Sequence, residues 1–478
     1  MSFMEQIRSL LEKYRSLSAP VKASFWVLMC SVFQSAFALF TTPVFTRVLT
    51  QAEYGIYNQY GTWLGILGII ITMNLSYETY VKGLADHQDE EAAFTSTMLG
   101  LSIALFSGFL ILFLLAPSFW ADLFHLPELL TGLIFVHLFV SLPFDYFKSR
   151  EEFHFRYKLS TALSVFVTVF SYAFSIYAVL HFSNRLEAKI EADLLIRCIA
   201  GLPILFIFLK NGKRLYDAKI WKYSLAFALP LVPHYLSNIV LTSSDRIMIG
   251  RMAGDAESGI YSIAYMIASM VLMIVNAINS SFVPYTFQRL RDEQYETVNK
   301  NSRLLYLGIA LLCVGAMGVA PEVIRIFAGE SYADAAVIVP SVSASVYFIF
   351  VFTMFTNVEY HYKKTKWIGI ATLAAACLNV LLNYILIPIF GYTVAGVTTL
   401  LSYLFLAVFH YISYRTIQKE EHFPDIYDIP YVVKLSLALL AVTMVIHVLY
   451  QYIVIRYILV AAAVGLAGYL FLKFRKGN

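Results

Sequence analysis

Long apolar stretches separated by short charged segments run through the whole chain. Each stretch has the roughly 20 residues that an α-helix needs to cross a hydrocarbon layer of about 30 Å. Because backbone N–H and C=O groups find no water at that depth, stretches of this kind must be helical. The pattern predicts fourteen membrane spans, at residues 24–46, 56–76, 95–116, 129–147, 159–182, 192–209, 221–243, 260–282, 304–319, 336–356, 367–387, 392–414, 431–450 and 454–472.

The distribution of Lys and Arg predicts the orientation, because short loops rich in these residues resist translocation. With the N-terminus in the cytoplasm, 27 of the 35 Lys and Arg residues fall on the inner side, seven on the outer side, and Arg197 within a span. We therefore expect both termini in the cytoplasm. Residues 1–22 carry apolar positions at helical spacing, which predicts an amphipathic helix on the cytoplasmic leaflet, with a solvated tail as the alternative.

Composition excludes a soluble globular protein, since 59% of the residues are apolar and 14% are charged. Fourteen spans leave little room for an extramembrane catalytic domain, so we do not expect an enzyme. The four cysteines lie singly in apolar runs, and the chain contains no G-x-x-x-x-G-K-S/T phosphate-binding loop. We expect no cofactor, no metal site and no nucleic-acid partner.

An internal repeat predicts the architecture. At an offset of 204 residues, six of the eleven residues of 47–57 are identical in 251–261. At an offset of 207 residues, the Glu-aromatic-His-aromatic-basic segment 152–156 recurs at 359–363. Equivalent loops are six spans apart, so the two halves have the same orientation, as in transporters built from parallel repeats. We expect an N-lobe at 23–210, a C-lobe at 211–415, and two further helices with a cytoplasmic tail at 416–478. A duplicated scaffold without transport activity, or a channel, is the alternative.

Five segments carry a resemblance to a known family: Pro230-Leu-Val-Pro233, Asp245-Arg-Ile-Met-Ile-Gly250, Gly259-Ile-Tyr-Ser262 with Pro284, Leu49-Thr-Gln-Ala-Glu-Tyr-Gly55, and 383–391. They resemble the polysaccharide transporter family of Wzx-type lipid-linked oligosaccharide flippases. This family belongs to the multidrug/oligosaccharidyl-lipid/polysaccharide exporter (MOP) superfamily, which also contains multidrug antiporters and the lipid II flippase.

The resemblance implies a flippase of the bacterial inner membrane. Its substrate would be an undecaprenyl-pyrophosphate-linked oligosaccharide for O-antigen, capsule or exopolysaccharide, moved to the outer leaflet by alternating access of two lobes. Polysaccharide polymerase and chain-length machinery would be its partners. A multidrug antiporter or lipid II flippase and, from another class, a membrane-embedded glycan polymerase are the alternative functions.

A pyrophosphate carries about two negative charges, so its path should be lined by cations, and the guanidinium of Arg suits phosphate oxygens best. Arg197, inside the sixth span, is the first candidate, with an ion pair to Asp193 as the alternative. Lys82 is a candidate for the cytoplasmic side, unless it only extends to the interface. Arg246, Arg47 and Arg251 are candidates on the outer side, and for Arg47 and Arg251 structural ion pairs with Glu53 and Glu257 are the alternative.

Span seven contains Pro230, Pro233 and His234. Two prolines remove two N–H donors and predict a kinked helix that can act as a hinge. His234 is a candidate for proton coupling, with packing as the alternative. Six acidic residues fall near or beyond the ends of the predicted spans, and the middle of the spans contains none, which favours an anionic over a cationic substrate. These residues are Glu78, Asp145, Asp193, Asp245, Glu322 and Glu359.

Overall fold

The computed structural model describes residues 18–476, and this part of the chain is helical without a β-strand. Twelve of its helices are long and apolar enough to cross a membrane. The predicted all-α multi-pass membrane fold is therefore confirmed. The amphipathic segment predicted for 1–22 lies outside the described residues up to position 17.

Each predicted span falls on a helix. The first nine helices are α1 (Ala19–Val48), α2 (Gln51–Thr72), α3 (Glu78–Asp86), α4 (Glu91–Leu115), α5 (Pro117–Phe124), α6 (Glu128–Phe153), α7 (Tyr157–His181), α8 (Arg185–Gly212) and α9 (Ala218–Ala228). The others are α10 (Val232–Met252), α11 (Asp255–Arg291), α12 (Tyr295–Phe327), α13 (Ala335–His361), α14 (Lys366–Phe390), α15 (Val394–Glu421), α16 (Ile429–Leu449) and α17 (Ile453–Lys476).

The second span ends earlier than predicted. Helix α2 ends at Thr72, where Met73 and Asn74 adopt the left-handed conformation with φ of 50° and 49°. The short helix α3 follows, and its Tyr80 packs edge-on against Tyr146 of α6, with 4.8 Å between the ring centroids. The predicted span continued to Ser76 because Met73 and Leu75 extend the apolar stretch beyond the last helical residue.

The chain forms two compact units. The first comprises the described residues up to Val48 and Trp63–Val232, and the second comprises Leu49–Thr62 and the residues from Pro233 onward. The chain passes between units at Pro233, within predicted span seven. The division of the chain at 210 and 415 stays a prediction.

In the first unit, aromatic hydroxyls in the core are paired across helices. Tyr80 bonds to Thr95 of α4 at 2.7 Å, and Tyr146 bonds to Ser102 of α4 at 2.9 Å. These bonds matter because an unpaired buried hydroxyl is costly. In the second unit, α13 is the most buried membrane helix and packs against α11, α12 and α15.

The second unit brings two equivalent positions of the internal repeat into contact. A Cβ atom at Gly55 of α2 would lie 1.8 Å from the backbone oxygen of Asp255, and one at Gly259 of α11 would lie 2.3 Å from the oxygen of Gln51. Only glycine permits this backbone approach. Gln59 strengthens the contact by donating a hydrogen bond of 2.7 Å to the carboxylate of Asp255.

Replacing Gly55 by Ala should force α2 and α11 apart and destabilise the protein by about 1–3 kcal/mol, the usual cost of overpacking. Gly61→Ala is the matched control on the same helix, because a Cβ atom there meets nothing within 4 Å. Thermal unfolding of the purified variants in detergent measures the difference. Equal midpoints for the two variants would contradict the contact.

Candidate functional site

The second unit holds a buried carboxylate inside a membrane span. Asp245 is 1% exposed and lies seven residues, or about 10 Å, before the end of α10. It accepts hydrogen bonds from the Tyr261 hydroxyl at 2.5 Å, the Thr399 hydroxyl at 2.8 Å and the Asn383 amide at 2.5 Å. Because these donors belong to α11, α15 and α14, the carboxylate joins four helices.

Further polar groups extend this network. The Thr398 hydroxyl donates to the side-chain oxygen of Asn383, and the Asn383 amide also lies 3.3 Å from the oxygen of Asn379. The amide nitrogen of Asn379 is buried and has no partner among the described residues. All three donors to Asp245 are neutral, so they stabilise its negative charge by hydrogen bonding.

Arg246, one residue further, contacts a different group. Its guanidinium stacks on the ring of Tyr265 at 4.7 Å, and its Nη1 lies 3.5 Å from the carbonyl of Thr242. Its buried Nε has no hydrogen-bond partner in the part of the chain that is described. Arg246 therefore has a buried donor without a partner among the described residues.

The first unit places Arg197 in a cluster of mixed charge. Its Nε donates to Asp193 at 2.8 Å, and Nε2 of His137 lies 3.9 Å from the same carboxylate. The Arg197 side chain is 33% exposed, and it also interacts electrostatically with the exposed Asp145. The ion pair with Asp193, which was the alternative, is thus present, and a third of the Arg197 side chain is exposed.

Lys189 extends this cluster along the same face of α8. It precedes Asp193 by four residues, is buried, and its Nζ lies 4.3 Å from the centroid of the Phe45 ring. Lys189 precedes the predicted beginning of this span at residue 192, whereas α8 already begins at Arg185. The spacing of 189, 193 and 197 along one helical face was the signal for this cluster.

The other predicted cations are Lys82, Arg47 and Arg251. Lys82 pairs with Asp86 on α3 at 3.3 Å, and both side chains are about half exposed. Arg47 is exposed in the first unit and donates to the carbonyl of Pro43 at 3.3 Å. Arg251 is exposed in the second unit. The Glu53 carboxylate accepts hydrogen bonds from the backbone and hydroxyl of Thr50.

The predicted proline kink coincides with a break in the helix. A 3₁₀ turn at Leu229–Leu231 separates α9 from α10. The carbonyl of Pro233 accepts a hydrogen bond of 2.6 Å from the Ser237 hydroxyl. His234 is half-buried, with its ring 5.9 Å from that of Tyr235. The hinge and the proton-coupling role stay predictions.

Two buried ion pairs were missed. Glu359 at the end of α13 and His410 of α15 are 0% and 1% exposed and lie 2.9 Å apart. Arg456 of α17 is buried against Glu322 of α12. Glu359 lies three residues beyond the predicted end of its span at 356, and Arg456 lies at the beginning of the predicted span 454–472. In the other copy of the Glu-aromatic-His segment, His154 pairs with Glu91 at 2.7 Å. No sequence pattern pointed to His410 or to Glu322 as partners.

Three of the acids that the sequence places near or beyond the span ends lie within helices. Asp193 is eight residues after the beginning of α8, Asp245 is seven residues before the end of α10, and Glu359 is two residues before the end of α13. Hydrogen bonds or ion pairs hold all three carboxyl groups. The preference for an anionic substrate stays a prediction. In the described residues, no group of three or more His, Cys, Asp or Glu side chains could hold a metal ion.

The sequence model of the polysaccharide biosynthesis protein family matches residues 21–290. The chain belongs to this family. The predicted resemblance is thereby confirmed.

Two curated proteins of Haemophilus influenzae are similar to this chain. The Lsg locus putative protein 1 is 24% identical over 217 residues, and an uncharacterized membrane protein is 23% identical over 205 residues. These alignments cover 42% and 41% of this chain, and the chain spans about half the length of the curated relatives it matches, 53% and 50%.

Solved structures of MOP-type transporters share the fold of this family member. The lipid II flippase MurJ in an inward closed conformation has a TM-score of 0.68 at 13% identity, over 93% of this chain and 98% of that one. An inward-facing multidrug resistance MATE transporter of the MOP superfamily has a TM-score of 0.62 at 14% identity, over 81% and 95%. A MOP superfamily transporter from Pyrococcus furiosus has a TM-score of 0.55 at 14% identity, over 83% and 95%.

Replacing Thr399 by Val removes a hydroxyl donor to Asp245 at nearly constant volume. We expect a loss of about 1.5–3 kcal/mol of stability, the value of a hydrogen bond to a charged group. Thr372→Val is the matched control, because the Thr372 hydroxyl bonds only to the carbonyl of Ile368 in its own helix. Thermal unfolding in detergent compares the two, and a control as unstable as Thr399→Val would argue against the network.

Proposed function

We propose that this protein is a flippase that moves an undecaprenyl-pyrophosphate-linked oligosaccharide from the cytoplasmic to the outer leaflet of the bacterial inner membrane. It would work by alternating access, with both termini in the cytoplasm. The observation that carries the proposal is membership of the polysaccharide biosynthesis protein family over residues 21–290. The fold shared with the lipid II flippase MurJ supports it, since lipid II is itself a lipid-linked sugar carried on a pyrophosphate.

The charged substrate group sets the main physical requirement. An unpaired charge at the centre of a bilayer costs at least about 2.5–3.5 kcal/mol, so a pathway for pyrophosphate needs guanidinium or ammonium groups at depth. Arg197 offers a partly exposed guanidinium inside a membrane helix, and Arg246 offers an unused Nε. We propose both as pyrophosphate ligands, with Lys82, Arg47 and Arg251 as ligands nearer the membrane surfaces.

The ion pair between Arg197 and Asp193 gives the proposed ligand site at Arg197 two states, one without substrate and one with pyrophosphate bound. In the absence of substrate, Asp193 neutralises the guanidinium at depth and lowers the cost of burying it. A pyrophosphate with a higher charge can replace the carboxylate on the exposed side of Arg197. We further propose that Pro230 and Pro233 form a hinge, and that His234 takes part in proton coupling.

A multidrug antiporter is the second candidate, and one observation favours it. Asp193 and Asp245 lie inside membrane helices, where a carboxylate can attract a cationic drug or exchange it for an ion. The MATE transporter fold at a TM-score of 0.62 is compatible with either substrate.

Arg197 has two candidate roles, binding of pyrophosphate and neutralisation of Asp193, and a double variant separates them. Arg197→Gln should abolish surface polysaccharide, and Arg197→Lys should retain part of it. If Arg197 binds pyrophosphate, Asp193→Asn combined with Arg197→Gln should stay inactive. Full recovery in the double variant would instead mean that Arg197 only neutralises Asp193. Equal amounts of membrane-inserted protein, measured by immunoblotting, are the control for folding.

Deleting the protein tests the cargo directly. We expect lipid-linked oligosaccharides to accumulate on the cytoplasmic side, where mass spectrometry of extracted lipids identifies their glycan. Accumulation of cationic dyes in the deletion strain, with normal lipid-linked intermediates, would favour the antiporter. Normal transfer to the outer leaflet together with unpolymerised repeat units would point to a glycan polymerase.

A further inference from the structure

A cavity of about 520 Å³ opens in the second unit between the beginning of α14 and the last turns of α15. Its apolar wall includes Trp367, Phe409 and Ile412, and its polar lining includes Lys366 and Ser413. It lies at the helix ends that border the charged segment 362–365, where a membrane helix meets water. A cationic edge above an apolar wall suits a ligand with a charged head and a hydrocarbon tail.

The two lysines at this cavity differ in their partners. Lys364 pairs with Glu420 at 3.1 Å and with Glu421 at 3.4 Å. Its hydrogen bonds to Glu420, and then to Glu421, raise the pKa of Lys364 above the ordinary value. Lys366 makes no ion pair among the described residues, and its ammonium lies 5.6 Å from the centroid of the Trp367 ring. Lys366 is therefore the cation that can bind an anion.

Helix geometry adds to the charge of Lys366. It is the first residue of α14, a helix of 25 residues, and the preceding Thr365 makes no side-chain capping bond. The first turn of a helix presents unbonded N–H groups and the positive end of the helix dipole. Phosphate groups bind at such positions.

A buried hydroxyl in the cavity wall is an independent sign of a ligand. Ser413 of α15 is 8% exposed, lines the cavity, and its Oγ has no hydrogen-bond partner in the described part of the chain. A buried hydroxyl without a partner costs about 1–3 kcal/mol. An acceptor oxygen from a bound molecule would remove that cost.

The surfaces next to the cavity show where a hydrocarbon chain can lie. On α14, Trp367, Ile370 and Leu373 are 47%, 45% and 48% exposed and fall on one helical face. On α15, Val408 and Ile412 are likewise exposed. Both stripes lead away from the cavity along membrane-spanning helices. Free phosphate would contact only the cationic groups, whereas a phospholipid would also contact these apolar stripes.

We propose that this cavity binds an anionic phospholipid. The phosphate of the lipid lies at Lys366 and the beginning of α14 and accepts a hydrogen bond from Ser413. The acyl chain follows the exposed face of α14. This is a lipid site distinct from the transport of cargo, and it does not depend on which molecule the protein moves.

Native mass spectrometry of the delipidated full chain in detergent tests the proposal, with phosphatidylglycerol and phosphatidylcholine as probes. We expect tighter binding of phosphatidylglycerol to the unmodified protein. Lys366→Gln should weaken that binding about fivefold, the usual effect of one cation near an anionic lipid. Lys434→Gln is the matched control, since Lys434 is an exposed lysine near the beginning of α16 and outside the cavity.

Ser413→Leu should remove the hydroxyl donor, occupy part of the cavity and reduce phosphatidylglycerol binding further. Lys366→Gln changes an exposed residue, so the test stays valid if the leucine variant does not fold. Three results would overturn the proposal: equal binding of the two lipids, equal effects of Lys366→Gln and Lys434→Gln, or displacement of phosphatidylglycerol by millimolar inorganic phosphate. The last result would mean that the site holds free phosphate.

Discussion

Hydrocarbon offers no hydrogen-bond partners, and this constraint governs both the backbone and the polar side chains of the protein. The backbone meets it by forming helices, so nearly every described residue lies in one. Polar side chains inside the membrane meet it by pairing with one another. Asp245 has three neutral donors, Asp193 has Arg197, and Glu359 has His410. The few buried polar atoms that lack a partner therefore deserve a functional explanation.

The two units meet this constraint in different ways. The second unit stabilises its deepest acid with neutral hydroxyl and amide groups that join four helices. The first unit neutralises Asp193 with a partly exposed guanidinium and a nearby histidine. A neutral network rigidifies the helices around it, whereas an ion pair with an exposed partner can exchange that partner for a ligand. This contrast makes Arg197 the stronger candidate for a substrate contact.

Backbone hydrogen bonding also distinguishes the proline segment of predicted span seven. Pro230 and Pro233 lack the N–H groups that would bond to the carbonyls of Ala226 and Leu229 in a regular α-helix, and a 3₁₀ turn at Leu229–Leu231 interrupts predicted span seven. The chain also changes from the first unit to the second at Pro233. A helix break at prolines is a segment in which backbone angles can change at low cost.

The sequence alone determined the class of the protein, because helix length and apolarity in a membrane are local properties. The fourteen predicted spans fall on helices, and twelve helices of the described residues are long and apolar enough to cross a membrane. The sequence also located the break at Pro230 and Pro233, and the family, whose motifs stand in continuous segments. It also offered Asp193 as a partner of Arg197, since residues four positions apart are neighbours on a helix.

Only the tertiary structure showed that Arg197 and Asp193 form this ion pair, and which groups from distant helices meet. Asp245 with Thr399, Glu359 with His410, and Gly55 with Gly259 are 154, 51 and 204 positions apart, and no local pattern encodes such contacts.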